Sequence, residues 1–493
     1  MEGIHEEVLG GALKPEGREA CGVMGISLER GNVSPIIYYG LMALQHRGQE
    51  SCGISVYDGS ALRTVRRYGL VGEELKRVAR TLGGRAGIGH VRYSTLGESS
   101  LINAQPIPIK MGGETFSIAH NGTIVNYGQL RERLRKRGIM LKTESDSEVI
   151  LRIFLDSYKR GCDIFGSLES CSERIEGGYS IVIVNSKGEL IAARDPLGLR
   201  PLCMGNSGNS VAIASESVAL DINSLSLIGD IEPGTAVLVG EEGVDVERFA
   251  SCPRRAYCMF EYVYFSRPDS ILEGRSVYDV RLRLGRNLAD TIDGDIDSIV
   301  PVPDTSRTAA EGLSRMTGIP VAEGLIKNRY VHRTFIMPTQ EAREGAVRMK
   351  LNPLKSVIKG KRIVLVDDSI VRGTTLKNIV AMLKSSGAKE VHVRITCPPI
   401  ISPCFYGIDI SSRSELIAAN NSVEEIERIL GADSLVYQSL EGLIEAIGLP
   451  REDLCNACLT GEYPTPMAQE RAEEDARRPR RPIARGIEGI WRA

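Results

Sequence analysis

The sequence predicts two domains of different class, an α+β domain over residues 21–250 and an α/β domain over residues 251–467. Many short β-like runs with few helical segments between them indicate the layered α+β domain. From about Ser251, strand-like and helical runs alternate, which is typical of a parallel α/β sheet. Residues 1–20 form a polar leader, and residues 468–493 form a charged C-terminal tail.

Composition excludes several classes of protein. The 493 residues are 42% hydrophobic and 25% charged, as expected for a globular protein, and the net charge of −2 predicts neither a nucleic-acid nor a membrane surface. The sequence contains no run of 18 apolar residues, so no membrane span is predicted. The leader carries five glutamates and lacks the apolar core of a secretory signal. The chain has 11 cysteines, and an odd number argues against a framework of disulfides. We therefore expect reduced thiols and a cytoplasmic protein.

The first domain contains strand-like runs beginning at Cys21, Cys52, Ala86 and Phe116, a hairpin over Ser180–Asp195, and further strands at Val211–Glu216 and Gly234–Gly240. Helical patterns cover Ile36–Gln45 and the residues from Glu144 to about Tyr158. In the second domain, Ser298–Pro303, Arg362–Val366 and Val391–Thr396 are predicted to be parallel strands.

The segment RIVLVDDSIVRGTT (Arg362–Thr375) is a buried strand ending at Asp367 and Asp368, followed by a loop of small residues and a helix. Backbone N–H groups of such a loop can hold a phosphate, and the carboxylates can bind ribose hydroxyls or a divalent cation. An ordinary strand-to-helix turn with a capping Asp is the alternative.

This segment resembles the binding motif of type I phosphoribosyltransferases, which use phosphoribosyl pyrophosphate (PRPP). The resemblance implies that Asp367 and Asp368 bind the ribose diol. It also implies that the following loop surrounds the 5′-phosphate, with contacts from Ser369, Arg372, Gly373, Thr374 and Thr375.

Cys21 alone would be typical of a core residue. The motifs HRGQES, GHVRYST, AHNGTIVN and ESDSEV follow it in order, and together they resemble the N-terminal-nucleophile glutamine amidotransferases. That resemblance implies an αββα sandwich and a propeptide, residues 1–20, whose removal makes Cys21 the terminal residue. A free α-amino group has a pKa of about 7.7–8.0, so it can accept the thiol proton through a water and activate the thiolate.

The same resemblance gives roles to four other residues. Arg92 would bind the glutamine α-carboxylate and Asp146 its α-ammonium, while Asn121 and Gly122 would form the oxyanion hole. The alternatives are a surface ion pair for Arg92, a helix N-cap for Asp146 and a hairpin turn for Asn121-Gly122. Cys52 is predicted to be a core residue.

Together, from Cys21 to about Pro464, the two halves resemble the glutamine PRPP amidotransferases, also called amidophosphoribosyltransferases. The family implies that ammonia from glutamine displaces pyrophosphate at C1 of PRPP and gives 5-phosphoribosylamine, the committed step of purine synthesis. It also implies Mg²⁺ at Thr305, Asp367 and Asp368, a homotetramer, and inhibition by purine nucleotides.

The polar segment Lys327–Pro353 resembles the flexible loop of that family, with Arg329, Arg333 and Lys350 as pyrophosphate contacts. Exposed basic residues on a loop need no ligand, so surface charge is the alternative.

Four cysteines match the iron–sulfur-bearing branch of the family and would bind a [4Fe–4S] cluster: Cys258, Cys404, Cys455 and Cys458. Zinc with four cysteines is the chemical alternative. Cys397 is close to Cys404 in sequence and could be mistaken for this ligand, but the residues flanking Cys404 match those of the family.

The sequence leaves two other functions open. A nucleotide-sensing paralogue without catalysis would retain PRPP-type binding but no glutaminase, and intact Cys21, Arg92, Asn121 and Asp146 argue against it. A nucleobase phosphoribosyltransferase with an unrelated front domain would release pyrophosphate in the presence of a base.

Overall fold

Two antiparallel sheets make up most of the first domain. The computed structural model describes residues 21–93, 100–328, 351–410 and 412–477. Within these ranges the first domain contains strands β1 Gly22–Ser27, β2 Ser51–Tyr57, β3 Leu62–Tyr68, β4 Ala86–Arg92, β5 Ile107–Met111, β6 Glu114–Ile124, β7 Gly177–Asn185, β8 Leu190–Arg194, β9 Cys203–Ser207, β10 Ser210–Ala214, β11 Ser226–Asp230, β12 Thr235–Gly240 and β13 Gly243–Arg248. One sheet has the order β11-β9-β10-β1-β4-β2-β3, and the other β13-β12-β8-β7-β6-β5.

The two sheets pack face to face and are covered by helices on both outer sides. Between them lies a core of small and branched side chains that includes Val23, Ile88 and Val182. Apolar side chains on the outer faces pack against helices Val33–Ala43, Glu73–Ala79 and Val218–Asp221 on one sheet, and against Tyr127–Lys136, Asp146–Lys159 and Ile164–Ser172 on the other. The predicted αββα sandwich is confirmed.

The second domain contains a parallel sheet. In the described residues this domain contains strands β14 Tyr257–Cys258, β15 Ile271–Leu272, β16 Arg275–Ser276, β17 Ser298–Pro301, β18 Leu325–Lys327, β19 Leu351–Pro353, β20 Arg362–Asp367, β21 Glu390–Ile395, β22 Ser434–Tyr437 and β23 Leu454–Cys455. The central sheet has the order β17-β20-β21-β22, all parallel. The α-helices of this domain are Val277–Arg286, Arg307–Thr317, Lys355–Ile358, Thr374–Ser385, Ile417–Asn420, Val423–Leu430, Leu440–Ile447, Ala457–Thr460 and Pro466–Arg477. The predicted α/β class is confirmed.

The last helix returns to the first domain. Glu176 accepts hydrogen bonds from the backbone N–H groups of Met467 (2.7 Å) and Ala468 (3.3 Å), so a carboxylate lies at the positive end of this helix. Ala468 is fully buried. The predicted boundary at residue 468 therefore falls inside a helix whose first turn is packed between the domains.

In the part of the chain that the structure describes, no helix has both the length and the apolar character needed to cross a membrane.

Candidate active sites

Cys21 lies immediately before β1 and is 9% exposed. Its thiol is 3.6 Å from the carbonyl oxygen of Tyr93, to which it donates. Burial raises the pKa of this thiol, and Arg92, Asp146 and Glu50 are charged groups close enough to act on it. The fold therefore brings three of the predicted site residues, Cys21, Arg92 and Asp146, into one neighbourhood.

Arg92 is the last residue of β4 and is paired with Ser51 on β2. Its Nη1 lies 2.8 Å from Oε1 of Glu50, and both side chains are largely buried. An ion pair is thus present, as the alternative interpretation expected, but it is a buried pair beside the thiol and not a surface one.

Asn121 and Gly122 lie within β6, opposite Ser180 and Tyr179 of β7, so the alternative of a hairpin turn at this point is wrong. The strand continues because Gly122 adopts φ +142°, and a Cβ there would lie 2.0 Å from the carbonyl oxygen of Gly178. Asn121 Nδ2 donates to Ser215 Oγ at 3.5 Å.

Ser215 connects Asn121 to the start of β1. Its hydroxyl also accepts a hydrogen bond from the backbone N–H of Val23, two residues after Cys21, at 2.9 Å. The Asn121 amide is therefore linked through one hydroxyl to the strand that carries the candidate nucleophile.

Asp146 is the first residue of its helix, and Ser145 is the N-cap, because the Ser145 side chain accepts from the N–H of Ser147. The N-cap interpretation of Asp146 is therefore wrong. Asp146 Oδ2 accepts from the backbone N–H of Ile124 at 3.3 Å, and its Oδ1 lies 3.5 Å from Nδ1 of His120. These contacts hold the carboxylate next to the end of β6.

A loop of the second domain, residues 404–410, forms part of the first site. The Tyr93 hydroxyl donates to Oδ2 of Asp409 at 3.2 Å, and a Cβ at Gly407 would lie 3.0 Å from the Cα of Gly122. Sequence reasoning missed these contacts because they join positions roughly 300 residues apart and leave no local pattern.

A buried network of charges behind the first site was also missed. Arg47 Nε lies 3.0 Å from Oε1 of Glu216, and Arg47 Nη1 donates to Oε2 of Glu261 at 3.1 Å. Arg200 Nη2 lies 2.8 Å from Oε1 of the same Glu261, and His46 Nε2 lies 2.7 Å from Glu216. Burial would raise the pKa of Glu216, but His46 and Arg47 outweigh it and lower the value to about 2.

The second site lies at the carboxyl end of the parallel sheet. Asp367 ends β20, and its Oδ1 accepts hydrogen bonds from the N–H of Asp368 (2.9 Å) and the hydroxyl of Ser306 (3.3 Å). Thr305 lies in the turn after β17, the neighbouring strand. The Ser369 hydroxyl donates to Asp368. The predicted diol and metal residues are therefore at one sheet edge.

The loop after Asp368 leads into the helix Thr374–Ser385. Gly373, at the N-cap of this helix, adopts φ +79°, which favours glycine, and a Cβ there would lie 2.7 Å from Cδ1 of Ile417. Arg372 Nε donates to Glu415 at 3.1 Å. The helix N-terminus thus follows the acidic pair as predicted. Arg329, Arg333 and Lys350 lie outside the described residues.

The four predicted cysteine ligands line one cavity between the domains. Cys258 and Cys455 are directly paired on the parallel strands β14 and β23. The N–H of Tyr406 donates to Sγ of Cys404 at 3.4 Å, and the carbonyl of Cys458 accepts from Ile401. Cys397 is not among the residues that line this cavity.

The cavity has the chemistry of a soft-metal site. Burial raises the pKa of all four thiols, to about 12 for Cys258, so a set of thiolates there requires compensating positive charge. In the described ranges, no group of three or more His, Cys, Asp or Glu residues is arranged to hold a metal ion.

Comparison with known proteins matches both halves. Residues 90–221 match a family model described as a glutamine amidotransferase domain, and residues 269–400 match a phosphoribosyl transferase domain. An amidophosphoribosyltransferase of Methanothermobacter thermautotrophicus is 47% identical over 94% of this chain and 98% of its own length.

Two solved structures are similar over nearly the whole chain. The glutamine PRPP amidotransferase of Bacillus subtilis, complexed with ADP and GMP, has a TM-score of 0.84 at 43% identity over 91% of this chain and 98% of its own. A structure described as the allosteric regulatory enzyme of purine biosynthesis has a TM-score of 0.85 at 43% identity, over 91% of this chain and 97% of its own.

Proposed function

Because the chain belongs to the amidophosphoribosyltransferase family, we propose that its two sites act in sequence, glutamine hydrolysis at Cys21 supplying ammonia to PRPP bound at Asp367 and Asp368. The protein is a glutamine-dependent amidophosphoribosyltransferase of purine biosynthesis. The reaction gives 5-phosphoribosylamine, glutamate and pyrophosphate.

In the first step, removal of residues 1–20 frees the α-amino group of Cys21, which accepts the thiol proton through a water. This activation is needed because burial raises the pKa of the thiol. The thiolate attacks the glutamine amide carbon, ammonia leaves, and water hydrolyses the thioester. The Asn121 amide and the Gly122 N–H stabilise the oxyanion, each contributing on the order of 3 kcal/mol.

Glutamine is held by its charged ends. The Arg92 guanidinium binds the α-carboxylate, and its pairing with Glu50 at 2.8 Å fixes the guanidinium beforehand. Asp146, already held by the Ile124 N–H, binds the α-ammonium. The positions of Arg92 and Asp146 support binding of a glutamine-sized ligand, because the positive and the negative side chain both lie close to Cys21.

PRPP binds at the sheet edge, with Asp367 and Asp368 on the ribose diol. The N-terminus of helix Thr374–Ser385 and the loop before it bind the 5′-phosphate, with contacts from Ser369, Arg372, Gly373, Thr374 and Thr375. Arg329 and Lys350 contact the pyrophosphate.

Thr305, Asp367 and Asp368 provide oxygen ligands for Mg²⁺, which keeps few protein ligands when it also binds substrate phosphates. When bound, Mg²⁺ offsets the charge of the leaving pyrophosphate.

Cys258, Cys404, Cys455 and Cys458 hold a [4Fe–4S] cluster. A single zinc ion would draw four sulfurs to about 2.3 Å from one point, whereas in the described ranges no group of three or more His, Cys, Asp or Glu residues is arranged to hold one metal ion. The Tyr406 N–H bond to Cys404 is typical of sulfur ligands in such sites. A cluster held by these four residues would tie together three distant segments of the chain, and its role would be structural.

We further propose a cytoplasmic homotetramer inhibited by purine nucleotides. None of the eleven cysteines, all of which lie in the described residues, forms a disulfide, which suits a reducing compartment. The nucleotide proposal is supported by the ADP and GMP in the similar Bacillus subtilis structure.

The observation that carries the proposal is the contact of the second-domain loop, at Gly407, with the oxyanion-hole residue Gly122. Its test is glutamate release from glutamine with and without PRPP, together with the mass of the purified chain. We expect a chain starting at Cys21 and a rate that rises with PRPP. A chain starting at Met1 without glutaminase activity would indicate the nucleotide-sensing paralogue, and base-dependent pyrophosphate release would indicate the nucleobase enzyme.

A further inference from the structure

Arg200 lies where the oxyanion hole, the buried charge network and the four-cysteine cavity meet. It belongs to the segment joining β8 and β9, and its side chain is 1% exposed. Its Nε donates to Oδ1 of Asn121 at 3.4 Å, and its Nη2 lies 2.8 Å from Oε1 of Glu261. Arg200 also lines the cavity that contains the four cysteines.

The contact with Asn121 determines which way that amide points. A guanidinium N–H requires an acceptor, so Oδ1 faces Arg200 and Nδ2 faces Ser215 and the start of β1. The reversed amide would place two donors against each other. Arg200 therefore presents the donor side of Asn121 to the start of β1, which Cys21 immediately precedes.

The backbone of Arg200 is held firmly, so its side chain is aimed by the fold. Its carbonyl accepts hydrogen bonds from Ser180 Oγ at 3.0 Å and from Arg194 Nε at 2.8 Å. Ser180 is the residue paired with Asn121 across β6 and β7. The donor and the amide it orients are thus fixed to the same pair of strands.

The guanidinium of Arg200, which lines the cavity, has hydrogen-bonding capacity left over. Nη1 of Arg200 has no hydrogen-bond partner within the described residues, although it is buried. Arg200 is also a cation close enough to act on Cys258 and Cys404. Sulfur ligands carrying negative charge would supply the missing acceptor.

We propose that Arg200 is a positioning residue that joins the four-cysteine site to the oxyanion hole, its Nη1 held by the sulfur ligands and its Nε orienting Asn121. The inference rests on the proposed roles of Asn121 and of the four cysteines. It follows that emptying the cavity releases one side of Arg200 and slows glutamine hydrolysis, while synthesis from free ammonia continues.

The test compares Arg200→Lys with wild type in the cluster-loaded enzyme. Lysine keeps the positive charge but has one ammonium group in place of the planar guanidinium, so it cannot contact Asn121 and the cavity together. The glutamine-dependent kcat should therefore fall about 100-fold, as it does when an oxyanion-hole donor is lost. The KM for glutamine should change little. Ammonia-dependent synthesis in the same sample shows that the variant is folded and should stay unchanged. Arg394→Lys is the matched control, since Arg394 is also buried and, among the described residues, hydrogen-bonds to Thr291, Val393 and Ser434, away from Asn121 and the cysteines.

A double-mutant cycle separates positioning from general damage. Asn121→Ala should lower kcat strongly in wild type and add little in the Arg200→Lys background, because both changes remove the same donor. Additive effects, or an unchanged kcat in Arg200→Lys, would overturn the role toward Asn121. If Asn121→Ala leaves wild-type kcat intact, the proposed oxyanion hole itself fails, which is a different result.

The proposed contact between Arg200 and the sulfur ligands is tested by a separate measurement. In Arg200→Gln, the visible absorbance of the cluster should bleach severalfold faster in air than in wild type, and Arg394→Lys should bleach at the wild-type rate. Equal bleaching of Arg200→Gln and wild type would overturn the link to the sulfur ligands.

Discussion

Gly407 and Gly122 lie on different domains and face each other so closely that a Cβ at Gly407 would be 3.0 Å from the Cα of Gly122. Gly407 belongs to the loop that carries Cys404, and Gly122 is the proposed backbone donor of the oxyanion hole. The first site is therefore completed by the second domain. This arrangement gives binding at one domain a direct physical route to catalysis at the other.

Replacing Gly407 should impair glutamine hydrolysis selectively. Gly407→Ala adds a methyl group against Gly122 and strains a residue with φ +110°, so the N–H of Gly122 shifts. We expect glutamine-dependent kcat to fall at least about 10-fold while ammonia-dependent synthesis persists. Gly161→Ala is the matched control, because Gly161 has φ +97° but open space around it. Equal loss of the glutamine- and ammonia-dependent rates would contradict this explanation.

The sequence was sufficient for local elements and for motifs. The β-branched run before Asp367 and Asp368 predicted a strand ending at a phosphate loop, and the structure places both residues there. Contacts between domains could not be predicted. Arg47, Arg200 and Glu261 read as ordinary charged residues, and only folding shows that they share one buried network. The hairpin-turn alternative for Asn121-Gly122 is wrong because the glycine allows a close contact between β6 and β7.

The two buried cysteines near the first site should behave differently. Cys21→Ser should abolish glutamine-dependent synthesis and spare ammonia-dependent synthesis, because a serine hydroxyl is a far weaker nucleophile than a thiolate. Cys52→Ser should retain both activities, since Cys52 is fully buried in the sheet and burial raises its pKa to about 12. Initial rates with glutamine and with ammonium chloride measure both. Loss of glutamine-dependent activity in Cys52→Ser alone would contradict the assignment of Cys21.

The acidic pair should matter for both nitrogen sources. Asp368→Asn removes a charge next to the proposed ribose diol, and hydrogen bonds to charged groups contribute about 1.5–3 kcal/mol. Synthesis from glutamine and from ammonia should therefore both fall about 10- to 100-fold at subsaturating PRPP. Asp295→Asn is the control, because Asp295 is fully exposed beside Arg362, at the opposite end of the same strand. A loss confined to the glutamine-dependent rate would contradict the assignment.

Glu216 should stabilise the protein in a pH-dependent way. It is fully buried, pairs with His46 and Arg47, and accepts a hydrogen bond from Ser270 Oγ at 2.6 Å, across the domain boundary. Glu216→Gln removes one partner of a buried ion pair, so we expect a loss of about 3–5 kcal/mol near neutral pH, measured by urea unfolding.

The stability that Glu216 contributes should decrease as the pH falls. The folded pKa of Glu216 is about 2, below the ordinary value of 4.5, so the contribution is complete above 4.5 and is lost as the pH falls toward 2. The difference between wild type and Glu216→Gln should therefore shrink between these values. Glu311→Gln, at an exposed pair with Arg315, should cost less than about 1 kcal/mol at any pH. A difference for Glu216→Gln that stays constant down to acid pH would show that the lost stability comes from packing and not from charge.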